Sequence, residues 1–177
     1  MTSFKEYLDH AWKVNGTEAK AVADELKTKF NLMEDDNDVM SMAGLIVHIC
    51  GEQVGNWEQG IDLLKKLKNN APVKDKEQMK RLAAILNLGN NPNISIEEFS
   101  PSDQVRIYSA TSQALVNLGG LKNAEKLFSK AVELSSKVSN DDVAQTELVA
   151  AGNTIVKKLP QDVPFTALVT TYLKNHI

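Results

Sequence analysis

The stretch Val105–Val138 reads VRIYSATSQALVNLGGLKNAEKLFSKAVELSSKV. Leu115 and Leu118 close one apolar stripe, and beyond Gly119-Gly120 a second runs through Leu127, Phe128, Ala131 and Leu134, spaced as one face of a helix of 3.6 residues per turn. Glycines at that break let a chain leave a helix through φ > 0. The stretch therefore predicts two helices folded back on each other, a helical hairpin.

Capping signals place further helix starts, because a helix's first turn leaves backbone N–H groups that a nearby side-chain oxygen satisfies. Ser3 with Glu6, Ser95 with Glu98, Ser100 with Asp103 and Ser139 with Asp142 have capping-box spacing, Asn56 precedes Trp57 with Gln59 three residues on, and Pro101 follows Ser100 as a first helical residue. Gly16, Gly55, Gly89, Gly119 and Gly120 fall where the periodicity lapses and are expected as stops. These signals predict helices near 3–15, 17–32, 38–54, 57–70, 74–88, 102–118, 121–138, 140–158 and 164–175, with no period-two alternation that would call for a sheet. Residues 88–100, centred on Gly89-Asn90-Asn91-Pro92-Asn93, are expected as a loop, with one short turn at Ser95 to Phe99. The acidic run Glu34 to Asp38 lacks the glycine and distant glutamate of a calcium loop and reads as charge at a helix N-terminus.

Tyr108, Leu115, Gly119, Leu121, Ala124, Phe128 and Ala131 resemble the tetratricopeptide repeat: an aromatic, a large apolar residue, a turn glycine, then small-x3-large-x2-small. Ala124 and Ala131 would let two helices approach closely, with Phe128 filling the space between hairpins. A weaker copy runs from Ser41 to Lys74, where Gly55, Trp57, Gly60, Leu64, Leu67 and Pro72 stand 64 residues before their counterparts. It departs from the pattern in having Gly51 where a large residue belongs, and in the stronger copy Thr111 and Ser112 replace the usual leucine and glycine. The resemblance, in particular to bacterial tetratricopeptide-like proteins, implies an all-α fold: a right-handed solenoid of α-α hairpins with eight or nine helices and no sheet, a single domain over residues 1–177.

Composition narrows the function. Twenty basic against 23 acidic residues give a net charge of −3, with no positive excess to displace counterions from phosphates, so nucleic acid is not expected as a partner. The lysines at 65, 66, 68, 74, 76 and 80 with Arg81 read as solvated helix faces. The single cysteine, Cys50, excludes an intramolecular disulfide and suits a reducing compartment; without a secretory-type start or a membrane-length apolar run, the expected location is cytoplasmic, with no membrane partner.

No sequence signature points to a cofactor, a metal or a catalytic centre. His48, Cys50 and Glu52 are all ligand types, but residues two apart on a helix diverge by about 200°. Cys50 with His10, His48 or His176 would make a dyad only through tertiary contacts. The expected function is a protein-protein interaction module, an adaptor or chaperone-like protein holding a peptide or protein on a concave helical surface; a homo-oligomer is compatible with it. By the family's register that surface presents Arg106, Ser109, Gln113, Val116 and Asn117 in the stronger copy, and Met42, Leu45, Ile49, Glu52 and Gln53 in the weaker. The apolar Met42, Leu45 and Ile49 are either an open groove or are covered by the N-terminal hairpin. The alternative function is a helical enzyme or small-ligand-binding protein whose site is assembled only in three dimensions.

Overall fold

A computed structural model describes residues 2–71 and 73–176. The chain forms two compact units, Met1–Asn90 and Asn91–Ile177, with the boundary inside the expected loop. Among the described residues all regular structure is helical, with no strand.

The first unit is built on α1 to α5. α1 (Phe4–Ala11) starts at Ser3, whose hydroxyl accepts from the Glu6 N–H at 3.1 Å; α2 (Gly16–Glu25) runs on as a 3-10 stretch, Leu26–Leu32. α3 (Asp36–Ile46) is capped by Asp35, which accepts from Asp38 N–H, while the Asp38 carboxylate accepts from Glu34 N–H. The acidic run is thus a reciprocal N-terminal cap. α3 continues as a π-helical stretch, Val47–Gln53, marked by the Val54 N–H donating to the Ile49 carbonyl at 2.9 Å. α4 (Trp57–Asn70) is capped by Asn56 through Gln59 N–H, and α5 (Lys76–Asn90) by Asp75 through Gln78 N–H. Pro72, expected to end the second helix of the weaker copy, lies outside the described residues.

Two sequence expectations need correction in this unit. Gly89 does not stop α5; it lies within the helix because a side chain there would collide with Trp57, whose ring atoms lie 2.5 Å from where its Cβ would be. Gly51 makes the same allowance, 2.5 Å from Trp57 Cζ3. The missing large residue of the weaker copy is therefore a volume exchange, in which the indole of Trp57 fills the space that Gly51 and Gly89 leave.

The second unit holds α6 (Pro101–Asn117), α7 (Leu121–Ser135, extended by a 3-10 turn to Val138), α8 (Asp142–Lys158) and α9 (Pro164–Lys174). Ser100 caps α6 through Asp103 N–H with Pro101 next, as expected. α8 is capped by Asp141, which accepts from Ala144 N–H at 3.0 Å, and not by Ser139. Ser95 bonds the Glu97 N–H in a turn and starts no helix. Between α6 and α7, Gly120 N–H donates to Leu115 O at 2.8 Å and Gly119 N–H to Val116 O at 3.1 Å, with Gly119 at φ +85°, a Schellman closure that only glycine adopts without strain.

Ser112, buried where the repeat pattern has glycine, donates to the Ala124 carbonyl at 2.7 Å, so its hydroxyl is satisfied inside the tight α6–α7 contact. Phe128 is fully buried where the two hairpins meet, its ring centroid 6.0 Å from those of both Phe165 and Tyr172 on α9. Arg106 pairs with Glu147 and Asn117 with Lys158, both 41 residues apart in sequence and spanning three turns of each helix. A constant difference over that span means that α6 and α8 run parallel and in register.

Candidate functional site

The face of α6 expected to be open is largely taken up by α8. Arg106 donates twice to Glu147, at 2.9 Å each, and Asn117 accepts from Lys158 at 2.6 Å. Ser109 is buried and donates to the Arg106 carbonyl, Val116 is buried, and Gln113 is half-buried. In the first unit Met42, Leu45 and Ile49 are fully buried, with α1 against α3 and α2 against the π stretch. They line no open groove; they are covered by the protein's own helices, the N-terminal pair among the elements packed on α3 and the π stretch. Glu52 and Gln53 remain half-buried beside them. Ile49→Gln is expected to lower folding stability by roughly 1 to 3 kcal/mol, because the amide enters a site with no partner. Urea denaturation checks this, and a variant as stable as the parent would show that the site is open to water.

The π stretch sends its ligand-type side chains apart. His48 stacks on Trp12, the C-cap of α1, at 4.3 Å, with Nδ1 3.4 Å from Glu52 Oε2, whereas Cys50 packs beside Gly60 of α4. His10 lies 3.5 Å from Glu18. Burial, reinforced by the nearby Asp24 carboxylate, pushes the Cys50 thiol up to about 12, so the thiolate that nucleophilic chemistry needs is scarce at neutral pH. At pH 8, Cys50 in the folded protein is expected to react with a disulfide reagent on the order of 10³-fold more slowly than in the unfolded chain. Equal rates would overturn this. A proton that the native thiol keeps and the unfolded thiol sheds also makes stability fall as pH rises from about 9 toward 12.

The second unit leaves open a groove of about 880 Å³ formed by α7, α8 and α9. Along α8 the lining residues Asp142, Gln145, Thr146, Val149, Ala150 and Asn153 recur at intervals of three and one, a single helical face. α9 contributes Leu168, Thr171 and Tyr172, the residues just past its end contribute Asn175 and His176, and the end of α7 adds Val132 and Ser135. Gln145 fixes the inner wall, its amide donating to the carbonyls of Ser135 at 2.9 Å and Val138 at 3.2 Å. The Tyr172 hydroxyl reaches Gln145 Oε1 at 3.4 Å, and burial pushes that phenol above its ordinary value. His176 stacks on Tyr172 at 4.1 Å and donates to its carbonyl oxygen. The groove thus offers hydroxyls and amides over an aliphatic floor, with Asp142 as its carboxylate and no lysine or arginine in its lining. Sequence reading missed it because 140–175 departs from the repeat pattern; the signal was the hydroxyl, amide and small-aliphatic stripe 142–153.

Among the described residues no helix is long and apolar enough to cross a membrane, and no group of three or more His, Cys, Asp or Glu side chains is placed to hold a metal ion. Compared with protein-family models, curated proteins and solved structures, the chain matches none of them.

Proposed function

We infer that this chain is a protein-interaction module of tetratricopeptide-like helical hairpins that holds a peptide or protein segment in the groove of its second unit. The groove carries this reading. Its walls alternate aliphatic surface with amide and hydroxyl groups, the chemistry that meets a peptide's side chains and its backbone N–H and C=O groups together. The parallel register of α6 and α8, and Phe128 seated between hairpins, support the repeat architecture, in which successive first helices lie side by side. With one carboxylate and no lysine or arginine in its lining, the groove favours an uncharged segment over an anionic one. The raised pKa of Cys50 speaks against the alternative of a thiol-based helical enzyme.

Selection of a random dodecapeptide library on the full chain tests this. Ala150 is exposed on the groove face of α8, so Ala150→Arg blocks the groove without disturbing the core. Peptides rich in uncharged residues should be enriched on the parent and weakened at least about tenfold on the variant, a loss of about 1.4 kcal/mol. Enrichment of no such peptide, or equal binding to both, would overturn the reading.

A further inference from the structure

The lysines of α4 do not all meet solvent in the same way. Lys66 is bound to Asp62 at 2.8 Å, one turn back along the helix. Lys65 and Lys68, exposed and one turn apart on one face, are in no ion pair among the described residues, and Asp62, the carboxylate that senses Lys65, is already bound by Lys66. Beneath these two cations α4 and α5 leave a cleft of about 230 Å³ whose floor is aliphatic: Ile61 and Leu64 from one helix, Ala83 and Leu86 from the other. Leu64 and Leu86 are themselves buried, so the floor is the edge of the unit's core. Asn87, from α5, completes the lining.

The size and the charge select the occupant. Pockets that enclose a whole small ligand run from about 300 to 1,000 Å³, so this cleft suits a single anchoring side chain. Large apolar anchors set into such clefts, ringed by polar contacts, carry much of the affinity of protein-peptide complexes. Two unpaired ammonium groups on one lip favour carboxylates beside that anchor and disfavour a basic segment.

The geometry points to the α4–α5 cleft as a docking site for an acidic partner peptide that inserts one large apolar side chain between Ile61 and Ala83, above the buried Leu64 and Leu86, and sets flanking carboxylates on Lys65 and Lys68. This surface lies in the first unit, and its chemistry is opposite to that of the uncharged groove in the second, so either can fail without the other.

The same dodecapeptide library, selected on the full chain in parallel with Lys65→Glu/Lys68→Glu and with Ala83→Trp, decides it. The charge reversal touches only exposed side chains and keeps the fold; the tryptophan fills the cleft. On the parent, peptides carrying Leu, Phe or Trp next to Asp or Glu should be enriched. A synthetic member of that pool should bind the parent more weakly as salt is raised, bind each variant at least about tenfold more weakly than the parent, and bind Ala150→Arg unchanged. The proposal is overturned if no such pool appears, if its members bind the charge-reversed chain equally well, or if the pool is acidic without an apolar anchor. It is also overturned if the parent sediments as a dimer that the charge reversal dissolves, which assigns the cleft to a second copy, or if the cleft binds decanoate saturably while no acidic peptide is enriched, which assigns it to an amphiphile.

Discussion

Replacing Phe128 by alanine is expected to cost about 3 to 5 kcal/mol of folding stability, read by urea denaturation followed by circular dichroism. The ring is fully buried, and its neighbours leave no simple way for the site to collapse. Phe165 and Tyr172 contact it from α9, the latter edge-on at 86°, and a Cβ on Gly152 of α8 would lie 3.5 Å from Phe128 Cζ. Truncation removes the transfer energy of the ring, the aromatic contacts and the packing of two hairpins at once. Phe128→Leu keeps most of the volume and should cost clearly less. A loss below about 1 kcal/mol for the alanine variant would show that Phe128 does not sit at the junction of the hairpins.

That junction was legible in the sequence because its determinants are local. The spacing of Ala124, Phe128 and Ala131 gives a helical face, and Ser3, Asn56 and Ser100 announce their helices through side chains that bond backbone three residues on. What was not legible depends on residues far apart in the chain. Nothing near Arg106 says that Glu147, 41 residues later, will take its guanidinium and close the expected face. The burial of Met42, Leu45 and Ile49 was foreseen only as one of two outcomes, because an apolar stripe looks the same whether its own chain or a partner covers it. The groove of the second unit was missed for a related reason: its α8 wall has helical spacing but mixed chemistry, and hydrophobic periodicity does not register it.

The exchange of volume around Trp57 makes the other large prediction, and it is one of sign. Glycine inside a helix is normally a weakness, so alanine there should stabilise by about 0.5 to 1 kcal/mol. Gly44 in α3 has nothing within 4 Å of where a Cβ would stand, and Gly44→Ala should show that gain. Gly89→Ala should do the reverse. Its Cβ would lie 2.5 Å from Cδ2, Cε3 and Cζ3 of Trp57, and the rigid indole, only 7% exposed and also packed closely on Gly51, has little room to move. Overpacking of this kind costs about 1 to 3 kcal/mol. Trp57→Ala alone should cost about 3 to 5 kcal/mol through the cavity it opens between α4, α5 and the π stretch. In that background the obstacle to a side chain at 89 is gone, so adding Gly89→Ala should raise stability, recovering about 0.5 to 1 kcal/mol through helix propensity and partial filling of the cavity. Chemical denaturation of the four members of this cycle measures the reversal directly. If Gly89→Ala has the same sign with and without the indole, Trp57 is not what requires glycine at that position, and the pairing of Gly51 and Gly89 with Trp57 fails as the explanation of the weaker copy's departure from the repeat.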